Sequence, residues 1–255
     1  MLSISIVLYH PDWEGEVKPL VNTLLQARRV EKVYLIDNSQ SANLRICEFA
    51  KLQNGEKIVY RKMEKNVGYG AGHNVALRET TEPLHLVMNS DILLKAEDIE
   101  KMVDYMESHP EVMAMMPHVV GPDGKYQGLC RTLPSPWDLI KRRFLHQKSS
   151  NVIAENDIPK EGLDIPYLSG CCMLLRTEAV RRVGYFDERF FLYPEDVDLS
   201  RRLHELGKTL YWPGVSIVHN HRQASYHSTK MLWIHVYNMI KYYNKWGWFY
   251  KAQRR

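Results

Sequence analysis

Five short runs rich in β-branched residues (Ser3 to Leu8, Lys32 to Ile36, Lys57 to Arg61, Leu84 to Met88 and Glu111 to Val119) are separated by four stretches of helical periodicity. Strand and helix alternating at this spacing is the pattern of a largely parallel sheet covered by helices. The first helix is expected over Glu16 to Arg29, with Val17, Leu20, Leu24 and Leu25 on one face. The next runs through Leu44, Cys47 and Leu52, the third opens near Gly70, and the fourth spans Ala96 to Ser108.

The pattern changes at the turn signal Gly121-Pro122-Asp123-Gly124. The stretch from Tyr126 to about Pro166 reads as irregular and holds a basic amphipathic piece, Trp137 to Lys148. A strand is expected over Tyr167 to Leu175, helices at Thr177 to Val183 and Glu195 to Leu206, and a strand near Val215 to Val218. From Met231 the chain reads as a helix unusually rich in aromatics. The expected organisation is one body, residues 1–225 with halves 1–119 and 120–225, and a C-terminal tail, 226–255.

With 255 residues, 45% of them hydrophobic and 25% charged, the composition excludes disorder, collagen-like repeats and a disulfide-stapled miniprotein. The longest uncharged apolar stretches, Tyr167 to Leu175 and Met231 to Ile240, fall short of the roughly 18 residues that a spanning helix needs. No basic segment precedes the apolar run Ile4 to Leu8, so the expectation is a cytoplasmic chain without a signal peptide. The net charge of +4 is too mild to mark a nucleic-acid binder. Cys47, Cys130, Cys171 and Cys172 lack metal or redox spacing and read as reduced, buried residues.

In open α/β sheets, ligands bind beyond the carboxyl ends of the strands, and polar clusters gather there. Asp37 follows the second strand and Asn89-Ser90-Asp91 the fourth. Such aspartates accept hydrogen bonds from a nucleobase or ribose or bind a hard cation; they also cap helices and close Asx turns. Between them Gly68, Gly70 and Gly72 open a helix, a spacing that lets backbone approach a phosphate or sugar. It matches neither a P-loop nor the dinucleotide-binding fingerprint. Glu195, Asp196 and Asp198 open a helix behind the aromatic run Phe190 to Tyr193. The helix dipole explains Asp198, while burial beside aromatics raises a carboxylate toward use as a base. His219 and His221 beside Arg222 suit contact with metal or phosphate.

In order along the chain, these pieces resemble the family 2 glycosyltransferases of GT-A fold. Ile6 to Pro11 looks like the first strand and its nucleotide-contacting loop. Asp37-Asn38-Ser39 is similar to the family's Asp-Asn-x-Ser, and Asn66-x-Gly68-Tyr69-Gly70 to its Asn-x-Gly motif. Asn89-Ser90-Asp91 stands where the family has its DXD motif, with Asn89 replacing the first acid so that only Asp91 supplies a carboxylate. Ser169-Gly170-Cys171-Cys172, followed by Gly184 to Glu188, looks like the acceptor-side segment, and Glu195-Asp196-Val197-Asp198 like the ED motif. Two features, His219-x-His221-Arg222-x-x-Ser225-Tyr226 and the tail Tyr242 to Trp248, look most like bacterial rhamnosyltransferases of O-antigen or capsule assembly.

The resemblance implies inverting transfer of a sugar, best matched by L-rhamnose from dTDP-rhamnose, to a hydroxyl of a polyprenyl-diphosphate-linked saccharide. It implies a divalent cation, Mg²⁺ or Mn²⁺, on Asp91 and His219. Tyr9, Asp37, Asn66, Gly68 and Asn89 would contact the nucleotide sugar, with Arg222 and Ser225 on its diphosphate. Gly170 and Cys171 would face the acceptor, and Asp196 would be the general base with Glu195 as the alternative. A UDP-hexose donor and a catalytically silent nucleotide-sugar-binding subunit remain open. Lys241 to Arg255 carries five basic residues, no acidic ones and six aromatics, which suits an anionic inner-membrane surface, packing on the body, or a homodimer contact.

Overall fold

The computed structural model describes residues 1–52, 57–137, 151–220 and 229–248. Its centre is a nine-stranded sheet whose parallel half is built by β1 (Leu2–Leu8), β2 (Val30–Asp37), β3 (Ile58–Lys62) and β4 (Leu84–Met88) in the order β3-β2-β1-β4. Side chains alternate between the two faces, as the pleat requires. Ile4, Ile6, Val33 and Leu35 enter the main core beside residues of α1 (Lys18–Gln26) and α4 (Ala96–Ser108). Val7, Tyr34 and Ile36 pack with Ala76 of α3 (Tyr69–Glu79). The helix α2 (Leu44–Leu52) adds Ile46 and Ala50 to the main core.

Beyond β4 the sheet is mixed, which sets how its second half lines the site. β8 (Cys172–Arg176) runs antiparallel between β4 and β6 (Val112–Val120), and β9 (Lys208–His219) lies parallel to β6. Two short strands, β5 (Ile92–Leu93) and β7 (Leu163–Asp164), pair antiparallel with β9. The helices α5 (Thr177–Val183) and α6 (Glu195–His204) follow β8.

Three boundaries differ from the sequence reading. The first helix is preceded by a π-helical turn at Trp13–Val17 and stops at Gln26, where Ala27 turns extended, and Arg29 beyond it pairs with Glu100, Asp104 and Glu107 of α4. Only Cys172–Arg176 of the apolar run Tyr167 to Leu175 is strand. The last strand starts at Lys208 and crosses Pro213-Gly214 by a bulge, since its register with β6 jumps between Pro117/Trp212 and His118/Ser216. Most of the basic piece, residues 138–148, lies outside the described residues.

The last helix, α7 (Thr229–Trp246), has two unlike faces. Met239, Tyr242 and Tyr243 form a second core with Phe190 and Val197, beside α6. Trp233, Val236, Tyr237 and Ile240, spaced three and four apart, stay exposed, Trp233 by 70% and Tyr237 by 61%. No helix among the described residues is long and apolar enough to cross a membrane. Cys130, Cys171 and Cys172 are buried and Cys47 is half-buried, all four as free thiols.

Candidate active site

The end of β4 and the end of β9 are brought together by two residues of β5. Ile92 sits opposite His219 and Leu93 opposite Val218, and the backbone N–H of Asn220 donates to the Asp91 carbonyl at 2.9 Å. That pairing sets His219 Nε2 3.3 Å from Asp91 Oδ1. Asp91 Oδ1 is buried and has no hydrogen-bond donor. A buried carboxylate oxygen left without a donor is costly unless positive charge faces it. Asp91 and His219 therefore suit a divalent cation. Among the described residues no third His, Cys, Asp or Glu joins them, so any further ligands would come from water and substrate, as is usual for Mg²⁺.

Asn89, from the same turn, faces both sides of the site. Its Nδ2 lies 3.5 Å from His219 Nε2, and its Oδ1 accepts from the Tyr69 hydroxyl at 2.9 Å. The same hydroxyl lies 2.6 Å from the Gly170 carbonyl. Gly170 then donates its own N–H to Asp196 Oδ2 at 3.0 Å. An unbroken line of polar contacts thus runs from the Asp91–His219 pair to Asp196. Gly170 fits this line through its lack of a side chain, since a Cβ would stand 3.2 Å from the Tyr69 ring and 3.3 Å from Asp196 Cβ.

The adjacent carboxylates Glu195 and Asp196 have different surroundings. Glu195 is buried with Oε2 unpartnered, and burial, aided by the charge of Asp196, pushes its carboxyl well above the usual range. Asp196 is half-buried and is also raised by burial, but the N–H groups of Gly170 and Val197 favour its charged form. Of the two, Asp196 holds the negative charge. Cys171 stands between the two halves of the site, and burial pushes its thiol up to about 12, with Asp196 and Asp91 adding to the effect. It is a neutral wall, not a nucleophile.

At the end of β2 Asp37 is fully buried, and both of its oxygens are engaged. Oδ1 accepts from the Ser39 N–H at 2.9 Å, closing an Asx turn, and Oδ2 accepts from the Tyr60 hydroxyl at 2.6 Å. Asn38 donates to the Gly68 carbonyl at 3.0 Å, and Asn66 accepts from the Gly68 N–H at 3.0 Å. The glycine run is filled by protein. A Cβ on Gly68 would meet the Phe191 carbonyl oxygen at 2.2 Å, one on Gly70 would meet Phe186 and Glu195, and one on Gly72 would meet Val7. These glycines let α3 lie against β1 and the loop before α6, a packing reason that the sequence reading of a ligand cradle did not include. Tyr9 is exposed at the end of β1. Arg222 and Ser225 lie outside the described residues.

Tyr69, Tyr60 and Gln127 were absent from the sequence-derived candidates. Tyr69 lies within the Asn-x-Gly-Tyr-Gly run, so a motif did carry it. Tyr60 belongs to a half-buried strand with no distinguishing pattern. Gln127 contacts His219 from 92 residues away, with no local signal.

The arrangement has one acidic–imidazole pair suited to a cation and one ionised carboxylate held across a polar bridge from it, which suits displacement of a charged leaving group by a hydroxyl. The model of the family described as "Glycosyl transferase family 2" matches residues 3–184. The chain belongs to this family. As a family 2 glycosyltransferase it is 26% identical over 257 residues to rhamnosyltransferase WbbL of Escherichia coli (strain K12), covering 94% of this chain and 92% of that protein. It is also 26% identical over 249 residues to the N-acetylglucosaminyl-diphospho-decaprenol L-rhamnosyltransferase of Mycobacterium tuberculosis (strain ATCC 25618 / H37Rv), covering 86% and 76%. Among solved structures, GalNAc-T7 with UDP, GalNAc and Mn²⁺ superposes with a TM-score of 0.69 at 15% identity. The mannosyltransferase PcManGT of Pyrobaculum calidifontis with GDP-Man and Mn²⁺ superposes with 0.64 at 14%. This chain is covered to 87% and 98%, but spans only 44% and 65% of those two chains. These likenesses establish the GT-A fold of this glycosyltransferase.

Proposed function

We propose that the protein transfers a sugar, L-rhamnose from dTDP-rhamnose being the best match, to a hydroxyl of a polyprenyl-diphosphate-linked saccharide, with inversion at the anomeric carbon. The observation that carries the chemistry is the polar line joining the Asp91–His219 pair to Asp196 through Tyr69 and Gly170. The rhamnose and lipid-linked acceptor readings draw on two relatives whose names state those activities.

Asp196 takes the proton of the acceptor hydroxyl as that hydroxyl attacks. A correctly held general base contributes roughly 10²–10⁴-fold. Gly170 holds the carboxylate in its orientation, and Glu195, kept neutral by burial, leaves Asp196 as the charge-bearing member. Asp91 and His219 would hold a divalent cation, whose chemistry is to neutralise charge growing on the leaving diphosphate. Asn66 and the Gly68 turn would border the nucleotide, with Tyr9 at its rim. Asp37 would meet the base through the lone pairs that its bonds to the Ser39 N–H and the Tyr60 hydroxyl leave over. Arg222 and Ser225 are proposed for the diphosphate and Cys171 for the acceptor side on the resemblance alone.

The bare stripe of α7 supports contact with an anionic cytoplasmic membrane surface, where such an acceptor would be held. Trp233 and Tyr237 are aromatics of the kind that favour the headgroup region, and the sequence from Lys230 to Arg255 contains no acidic residue.

The deciding experiment is calorimetric titration with dTDP-rhamnose, UDP-glucose and UDP-galactose, each with and without Mg²⁺ or Mn²⁺. Cation-dependent binding of dTDP-rhamnose alone is expected. Preference for a UDP-sugar would replace the donor and keep the chemistry, and binding of none would overturn the transferase reading.

A further inference from the structure

We infer that Gln127 is a positioning residue that fixes the tautomer of His219 and turns its Nε2 lone pair toward Asp91. The inference rests on the proposal that Asp91 and His219 hold a divalent cation.

Gln127 follows the tight turn after β6, where its backbone N–H is tied to the Val119 carbonyl at 3.1 Å. Its side-chain amide reaches His219 at two points. Nε2 donates to the His219 carbonyl at 2.7 Å, and Oε1 lies 3.1 Å from His219 Nδ1. A backbone carbonyl only accepts hydrogen bonds, so the NH₂ end of the amide must face it. The oxygen end therefore faces Nδ1, and an amide oxygen only accepts. Nδ1 must then carry the proton, so Nε2 carries the ring's lone pair, with the Asn89 amide Nδ2 3.5 Å from it. Nε2 is also the atom that faces Asp91 Oδ1 at 3.3 Å. The hydrogen-bond chain thus identifies the ligating nitrogen through the chemistry of His219's own backbone carbonyl. Histidines that bind metals are commonly oriented in this way through their second nitrogen, and loss of the outer partner typically weakens metal binding 10–100-fold.

The test is Mn²⁺ binding to the full chain, followed by electron paramagnetic resonance with saturating UDP or dTDP, for wild type, Gln127→Met and Gln127→Glu. Methionine fills the space with no acceptor for Nδ1–H, so a 10–100-fold weaker Mn²⁺ affinity is expected. Glutamate keeps an acceptor for Nδ1–H but loses the donor to the carbonyl, and is expected to recover most of the affinity. Equal weakening in both variants would mean that Gln127 only anchors the backbone, and unchanged affinity in Gln127→Met would mean that it does nothing here; either result overturns the inference. A second reading needs no variant: ¹⁵N spectra of His219 in wild type with Mg²⁺ and UDP are expected to place the proton on Nδ1, and a proton on Nε2 overturns the inference. Failure of wild type to bind Mn²⁺ while it still binds the nucleotide would mark the cation proposal itself as wrong, and the inference would fall with it.

Discussion

The backbone N–H of Gly170 ends 3.0 Å from Oδ2 of Asp196, so the oxygen assigned to receive a proton is aimed by a residue that has no side chain. Replacing Asp196 by Asn keeps the shape and removes the charge. Transfer is expected to fall by roughly 10²–10⁴-fold, while nucleotide-sugar binding measured by calorimetry stays close to wild type. Lost donor binding would take Asp196 out of the base role.

Asp91→Ala removes the one carboxylate of the Asn89-Ser90-Asp91 turn. Nucleotide binding that strengthens with Mn²⁺ in wild type is expected to become indifferent to Mn²⁺ and to chelator in the variant. A retained Mn²⁺ response would exclude Asp91 as a ligand.

Gly68 has φ +93°, and a Cβ there would stand 2.2 Å from the Phe191 carbonyl oxygen. Alanine at a positive-φ position is strained before any contact is counted. Gly68→Ala is expected to cost more than about 1 kcal/mol in urea denaturation, and to lower transfer further by shifting the loop that leads to Glu195.

A buried polar chain crosses the parallel half of the sheet. The Thr80 hydroxyl donates to Ser3, which contacts His85 Nδ1, while Ser5 contacts His85 Nε2 and His73 Nδ1, all within 2.7 Å. Burial holds His85 down to about 3 and His73 well below its ordinary value. As pH falls below about 6.5 the unfolded chain binds protons at these positions and the folded chain does not. Stability is therefore complete above that pH and declines below it, by up to about 1.4 kcal/mol per pH unit for each histidine. Glu195, raised by burial, slopes the other way, since its contribution is present at low pH and lost as pH rises. Comparing urea midpoints at pH 7 and pH 5 between wild type and His85→Gln cancels the Glu195 part. A smaller acid loss is expected in the variant, and an equal loss would mean that folded His85 takes up its proton as readily as the unfolded chain does.

Trp233→Ser with Tyr237→Ser removes the two most exposed aromatics of the α7 stripe without touching its packed face. Sedimentation with phosphatidylglycerol vesicles is expected to drop sharply, with the thermal midpoint unchanged. Unaltered sedimentation would assign the stripe to a protein partner.

Much of this molecule could be read from its residues because a parallel sheet writes itself as apolar runs with polar ends. β1, β2 and β4, the turn at Asn89-Ser90-Asp91 and the opening of α6 were all legible for that reason. What escaped was set by distant partners. β5 is two residues long and exists only because β9 is there to pair with it. The first half of β9 was hidden because Pro213-Gly214 reads as a turn, whereas the fold accommodates it as a bulge against β6. The glycine run was read as room for a ligand because nothing local shows that Phe191, Phe186 and Val7 fill it. Gln127 had no signature, since its meaning depends on His219.

The packed face of α7 changes what the end of this chain can be used for. Asn238 donates to the Leu192 carbonyl and Lys241 to the Arg189 carbonyl, so the helix grips the segment that delivers Glu195 and Asp196. Asp198, buried in α6, is met by Arg202 at 2.8 Å, by Lys245 at 2.6 Å and by the Trp246 indole N–H at 2.8 Å. Two of these three partners belong to α7. Cutting the chain before them would leave a buried carboxylate with Arg202 as its one partner of the three, a change that costs more than an exposed contact is worth. A deletion series meant to ask whether this end adheres to lipid would mostly report damage to the segment that carries Glu195 and Asp196. The helix is a keystone with one face still bare, and the proposed use of that face can be tested apart from the packing only one side chain at a time.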